Sequence, residues 1–303
     1  MTTPESGAKS RGGALNRFSL WDGLIYLALA LAAFLCLVPV LNILAVSFSK
    51  AAAAEAGKVS FWPVDFTLAS YDNIMKDFSF LQAIGVSVAR VLLGTAMSIV
   101  VMLLMAYPLS REKADFPMRN VYMWFVVFTM LFSGGLIPTY ITITKLKLTN
   151  TIWALTVPWT VYAYNVVLIV NFFRSIPKEM NEVAAIDGAG PLTTLIRVYV
   201  PVSMPIIATI VLFCALWHWN DYFTGMIYID DLTQKPLMTY IRSLALTMNF
   251  DQLSPDELIK RSEIGSLTYN AAKIVIAMVP VLVIYPFLQQ YFVKGIMIGS
   301  VKG

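Results

Sequence analysis

Hydrophobic residues in this chain gather into long runs separated by short polar stretches. A bilayer-crossing helix needs about 20 mostly apolar residues, because each residue rises 1.5 Å across a hydrocarbon core of about 30 Å. Six runs meet that length, near Leu24–Phe48, Leu81–Leu109, Arg119–Ile143, Thr151–Phe173, Pro201–Tyr222 and Ala271–Phe292. The pattern predicts an all-α, polytopic membrane protein with about six transmembrane helices, forming a single domain over 1–303.

The first run follows Lys9, Arg11 and Arg17, as a secretory signal would. Its apolar stretch of roughly 25 residues exceeds the 7–15 of a signal core, so a retained span is expected. Lys and Arg mark the cytoplasmic side of a span. They fall in the N-terminal tail, at Arg111, Lys113 and Arg119 in the 2–3 connection, at Arg174, Lys178 and Arg197 in the 4–5 connection, and at Lys294 and Lys302. Both termini are therefore expected in the cytoplasm, with 1–23 a cytoplasmic tail, 174–200 a cytoplasmic segment and 223–270 a long external loop. Lys145 and Lys147, in the outer 3–4 connection, run against this scheme.

Composition narrows the function. Hydrophobic residues make up 58% of the 303 positions and charged residues 13%, with a mean hydropathy of +0.71. Soluble domains hold about 45–50% and 25%. A net charge of +4 without a basic run gives no footprint for nucleic acid. Cys36 and Cys214 both lie in apolar runs and His218 is the only histidine, so neither a disulfide framework nor a metal site is expected. The chain has no G-x-x-x-x-G-K-[ST] phosphate loop and no convincing acid–base cluster, so no catalytic residues are assigned.

The 4–5 connection is the most informative stretch. Ser175 is placed as an N-cap, with Pro177 in the first turn and Glu179 near the helix start. The helix should run to about Ile186 and end at Gly188, which tolerates a left-handed conformation. Pro191 can open a second short helix. Pro201 disfavours helical geometry at Val200, so a bend is expected before the fifth span.

These residues resemble the EAA signature of permease subunits in ATP-binding-cassette importers. The positions are Glu182, Ala184, Asp187, Gly188 and Ala189, with Pro201 and Pro205 starting 14 residues after Asp187. Val183 stands where an alanine is usual, and Leu195 where an aromatic is common. Ala106–Arg111, Gly134–Pro138, Asn150–Trp153 and Trp217–Asn220 look like the same family. The terminal Lys294–Gly303 run is similar to the branch importing complex oligosaccharides, including second permease subunits of alginate importers. The resemblance implies a type I importer permease fold in a bacterial inner membrane and a coupling-helix pair that docks on a cytoplasmic ATPase. It also implies a second permease subunit (a heterodimer), two ATPase subunits holding ATP and Mg, and an extracytoplasmic sugar-binding protein. No cofactor is expected on this chain.

Polar residues within the spans are candidates for the substrate pathway. Arg90, well inside span two, either faces an aqueous pathway or the partner permease, or snorkels to the outer headgroups. Asn165, Trp217 and Asn220 suit a sugar path, with interhelical hydrogen bonding as the competing role for the amides. Trp219 and Tyr222 read as an interfacial belt, and His218 as a packed aromatic. Gly85, Gly94, Gly134 and Gly135 suit close helix approach. Arg90 with Lys273 would favour an acidic oligosaccharide such as alginate through positive potential. In the 223–270 loop, an apolar stripe at Leu237, Tyr240, Ile241, Leu244 and Met248 either meets a partner or caps the chain's own spans. Asp251, Asp256 and Glu257 are the candidate contacts to the binding protein. The rival reading is an ion-coupled secondary transporter, but such proteins place acids or histidines inside spans, where this chain has almost none.

Overall fold

The computed structural model describes residues 20–246 and 266–300, and these are almost entirely helical. Three unbroken helices among the described residues are long and apolar enough to cross a bilayer: α1 (Leu20–Ser47), α4 (Phe78–Ser110) and α15 (Ser266–Ser300). Between α1 and α4 lie two short helices, α2 (Ala51–Glu55) and α3 (Ala69–Lys76).

The other three expected spans are broken. Helices α5 (Arg119–Leu131) and α6 (Leu136–Lys145) meet at 113°, across Phe132–Gly135. A short helix α7 (Ile152–Thr156), with a 3-10 turn to Trp159, meets α8 (Ala163–Ser175) at 47°. The segment from Pro191 to Val202 meets α12 (Met204–Asn220) at 87°. Residues that oppose helix propagation stand in the first break and just before the second, Gly135 at φ 84° and Pro158 in the 3-10 turn. The third break corrects an expectation. The bend falls at Ser203 rather than at Val200, and Pro201 sits within the short helix α11 (Val200–Val202), where a first-turn proline is tolerated.

Helix α4 is the central pillar and packs on α8, α12, α5 and α14 (Leu237–Leu246). Asp77 caps its start by accepting from Phe80 N–H at 3.2 Å. Its buried positions recur every three or four residues: Ala83, Ser87, Arg90, Gly94, Ser98 and Met102. Most are small, so neighbouring helices approach closely, as packing between membrane helices requires. A main apolar core joins Met102, Val166, Ile169, Phe173, Ile210 and Tyr199.

The described part of the 223–270 loop forms α13 (Phe223–Tyr228), a 3-10 turn at Leu232–Gln234, and α14. Its apolar stripe folds back onto the chain's own spans. Leu237 and Tyr240 bury against Phe80, Trp219 and Ala272, and Leu237 N–H donates to Ser87 Oγ at 2.7 Å. The part at Leu237, Tyr240 and Ile241 is a cap, while the Leu244 side chain and Met248 lie outside what the structure describes.

Candidate functional site

At the end of the molecule where α4 terminates, helix α9 (Glu179–Ile186) is followed by Gly188 at φ 72° and then α10 (Pro191–Thr194). Ala189 N–H bonds to Ala184 O at 2.9 Å and Gly188 N–H to Ala185 O at 3.0 Å. This is a Schellman motif, with a 6→1 and a 5→2 bond around a left-handed residue. Ser175 does not cap α9. It ends α8, where its hydroxyl donates to Phe172 O, and Lys178 stands at the N-cap without a side-chain bond to the helix start.

The pair of helices borders a cleft of about 730 Å³ lined by Glu179, Val183, Ala184, Asp187, Gly188 and Arg197. Ala184 is buried, while Val183 is 58% and Ile186 85% exposed. Glu182 and Asp187 are exposed on the same side. Helical spacing thus gives α9 one face on the body and one apolar face, edged by acids, with nothing of this chain over it. Pro201 is exposed beyond a π-helical turn at Leu195–Tyr199.

This segment is tied to α4. The Tyr199 ring meets Tyr107 and Phe173 edge-on, each at 5.2 Å between centroids. Lys178 forms an ion pair with Glu112. The hydrogen bond from Lys178 holds the Glu112 carboxyl below its usual range and raises the Lys178 ammonium above its own. The depressed carboxyl keeps its charge down to acid pH and the raised ammonium keeps its own to alkaline pH. The pair is therefore intact across neutral pH, and is lost as pH falls through the Glu112 value or rises through that of Lys178.

Deeper in the molecule, Arg90 neither faces an open path nor reaches the surface. It is fully buried, donates to Asp221 Oδ2 at 2.5 Å and to the Asp221 carbonyl at 3.0 Å, and also bonds Thr224 Oγ1 at 3.0 Å. Its guanidinium lies 5.6 Å from the centre of the Trp217 ring, which also packs against Trp159 and Tyr162 at the break between α7 and α8. Asn165 is buried, with Nδ2 3.9 Å from Cys214 Sγ. Asn220 is exposed and bonds within its own helix, to Leu216 O. Trp219 is not a belt residue: it is buried and donates to Ala277 O at 3.0 Å. Tyr222 stays 42% exposed.

Of the four glycines marked for close approach, only Gly94 is pressed by a neighbouring helix. A Cβ there would lie 2.8 Å from His218 Cδ2 and closer still to Nε2, whereas Gly85 and Gly135 have nothing within 4 Å and Gly134 only Pro138 at 3.9 Å. Gly94→Ala should therefore lower stability by about 1–3 kcal/mol through overpacking. In a His218→Ala background the same substitution should cost far less. Thermal unfolding of the four proteins checks this, and an unchanged midpoint for Gly94→Ala would rule out the contact.

Lys273 is buried too. Its ammonium sits 3.6 Å from Asp77 Oδ2 and 4.1 Å from the centre of the Tyr269 ring. Asp77 Oδ2 also accepts from Tyr240 and Tyr269 hydroxyls. Both cations expected to line an entry path are thus held by internal acids. Asp77 and Asp221 escaped sequence reading because each sits at a helix end and pairs with a residue more than a hundred positions away. Asp251, Asp256 and Glu257 lie outside the described residues. Among the described residues no group of histidine, cysteine or acidic side chains could hold a metal ion.

A family model described as binding-protein-dependent transport system inner membrane component matches residues 14–298. The polygalacturonan/rhamnogalacturonan transport system permease protein of Bacillus subtilis (strain 168) is 38% identical over 284 residues, covering 94% of this chain and 99% of that protein. Protein LplC of the same organism is 38% identical over 267 residues, covering 88% and 90%. A chain in the crystal structure of a bacterial ABC transporter involved in the import of the acidic polysaccharide alginate superposes with a TM-score of 0.84 at 29% identity, covering 91% of this chain and 99% of that one.

Proposed function

Because the chain belongs to the inner membrane components of binding-protein-dependent transport systems, and is a permease subunit of an ABC importer for sugars, we propose that it moves carboxylated oligosaccharides. In this reading it forms half of the pathway with a second permease subunit, and α9 and α10 dock on an ATPase that binds ATP and Mg and hydrolyses the nucleotide on the cytoplasmic side. The observation that supports the coupling role most directly is the exposed Val183 and Ile186 face beside a glycine-capped cleft. Val183 and Ile186 are exposed side by side on one helix face, and adjoining exposed apolar side chains rimmed by polar residues mark an interaction surface. Glu182, Asp187, Ala189 and Pro201 frame that surface.

The acidic substrate class is supported by the names of the relatives, polygalacturonan and rhamnogalacturonan in one and alginate in another. It draws no support from Arg90 or Lys273, whose charges are internally matched. Selection for carboxylates then rests with the binding protein, reached through the external loop carrying Asp251, Asp256 and Glu257, and with pathway groups such as Trp217 and Asn165.

Purification of the chain from membranes tests this reading. The wild-type chain should bring down an ATPase subunit whose hydrolysis rises when a uronate-loaded binding protein is added. Burying an isoleucine is worth about 1.5–3 kcal/mol, so Ile186→Asp should cut ATPase recovery roughly tenfold or more. Full recovery and stimulation in that variant would remove α9 from the interface. Stimulation by neutral oligosaccharides alone would overturn the substrate class.

A further inference from the structure

Three arginines from three spans converge on the last turn of α4. Arg174, at the end of α8, donates to Leu109 O at 3.0 Å. Arg119, which opens α5, donates to Arg111 O. Arg111 itself lies 4.3 Å from the centre of the Tyr107 ring and bonds the Tyr107 hydroxyl. The carbonyls at a helix end lack partners within the helix, so capping accounts for one nitrogen of Arg119 and one of Arg174. It does not account for three cations at one place, two of which, Arg119 and Arg174, repel each other.

A guanidinium has five N–H donors, and Arg119 Nε is buried without a hydrogen-bond partner. Two acids are nearby. Glu112 is paired with Lys178 and also interacts with Arg119, and Asp115 is a single exposed carboxylate acting on the Tyr199 side. With Lys113 also present, the cluster keeps a positive excess. A strip of apolar side chains leads away from it along α5, with Val121 58%, Tyr122 52%, Trp124 73% and Phe125 67% exposed. A cationic cluster at the start of a helix with an exposed apolar strip matches the two halves of one kind of molecule, and basic pockets at the ends of membrane helices bind anionic headgroups.

We propose that Arg111, Arg119 and Arg174 hold the phosphate of an anionic membrane phospholipid whose acyl chains lie along α5. The site uses the membrane setting of the proposed function but none of its coupling or substrate assignments. A bound lipid would neutralise the repelling arginines and fix the end of α4 against α5 and α8, next to the segment that meets the ATPase.

Native mass spectrometry of the whole purified importer, with phosphatidylglycerol and phosphatidylcholine as probes, tests the proposal. The wild type should retain phosphatidylglycerol through delipidation steps that strip phosphatidylcholine. Arg119→Gln and Arg174→Gln should each weaken retention about fivefold, while Arg119→Lys and Arg174→Lys, which keep the charge, should retain most of it. Equal retention in the glutamine variants would overturn the site. Displacement of the lipid by millimolar inorganic phosphate would reassign it to a free anion. A photo-crosslinker at Trp124 should capture lipid, and capture of the second permease subunit there would overturn the acyl-chain placement. Subunit composition in the same spectra reports assembly, so a glutamine variant that loses lipid but keeps its ATPase separates this proposal from the coupling reading.

Discussion

Gly188→Val should reduce ATP-driven uptake by about tenfold or more while leaving the protein in the membrane. The residue sits at φ 72° as the left-handed position of a Schellman motif. A branched side chain in that region costs about 1–3 kcal/mol, and 1.4 kcal/mol already corresponds to a factor of ten. Clashes with other residues do not enter, because a Cβ at this position would meet nothing within 4 Å. The loss therefore comes from the backbone alone, which unwinds the turn and re-aims Ile186 and Asp187. That makes a sharper test available. Asn tolerates the left-handed region better than other side chains, so Gly188→Asn should stay close to wild type in uptake and in ATPase stimulation. If valine and asparagine behave alike, the turn geometry is irrelevant to coupling.

That turn was legible in the sequence because its signals are local. A glycine after an eight-residue amphipathic stretch and a proline three residues further on specify a helix stop and a restart on their own. The six apolar runs were legible for the same reason, since length and hydropathy are local quantities. The breaks inside three of them were less so. Pro138, Pro158 and Pro205 are visible in the sequence, yet prolines are common in membrane helices whose freed backbone groups find other partners. The pairings at the far end were not legible at all. Arg90 with Asp221 and Lys273 with Asp77 bridge 131 and 196 positions, and only the packing of α4 against α12 and of α15 against α3 brings them together. A lone arginine in a span gives the same sequence signal whether it faces water, lipid or a buried acid.

The ion pair supplies the largest expected change in stability. Arg90→Met should lower stability by about 3–5 kcal/mol, because it leaves the Asp221 carboxylate, 13% exposed, without its cation in a protein interior. Asp221→Leu should cost a similar amount, by stranding a fully buried guanidinium. Replacing both removes the stranded charge, and buried pairs exchanged for apolar residues are often neutral, so Arg90→Met with Asp221→Leu should recover most of the loss. In thermal melts of the purified protein, each single variant should unfold at least about 6 °C below wild type. The double variant should return to within about 3 °C. Single variants that melt with the wild type would show that the pair contributes nothing to holding α4 against α12. A double variant as unstable as the singles would show that the hydrogen bonds to Thr224 and the Asp221 carbonyl outweigh the charges.

The same pairing sets a problem of timing during synthesis. Chains grow at about 5–20 residues per second, so Arg90 is made roughly 7–26 s before Asp221. For that interval an arginine in the middle of a span carries an insertion cost of about 2.5–3.5 kcal/mol with no counter-ion to offset it. What keeps the nascent helix in place is its own excess of leucine, valine and methionine over 33 residues. The length of α4 beyond a minimal span thus gives the growing chain the means to wait for its missing partner.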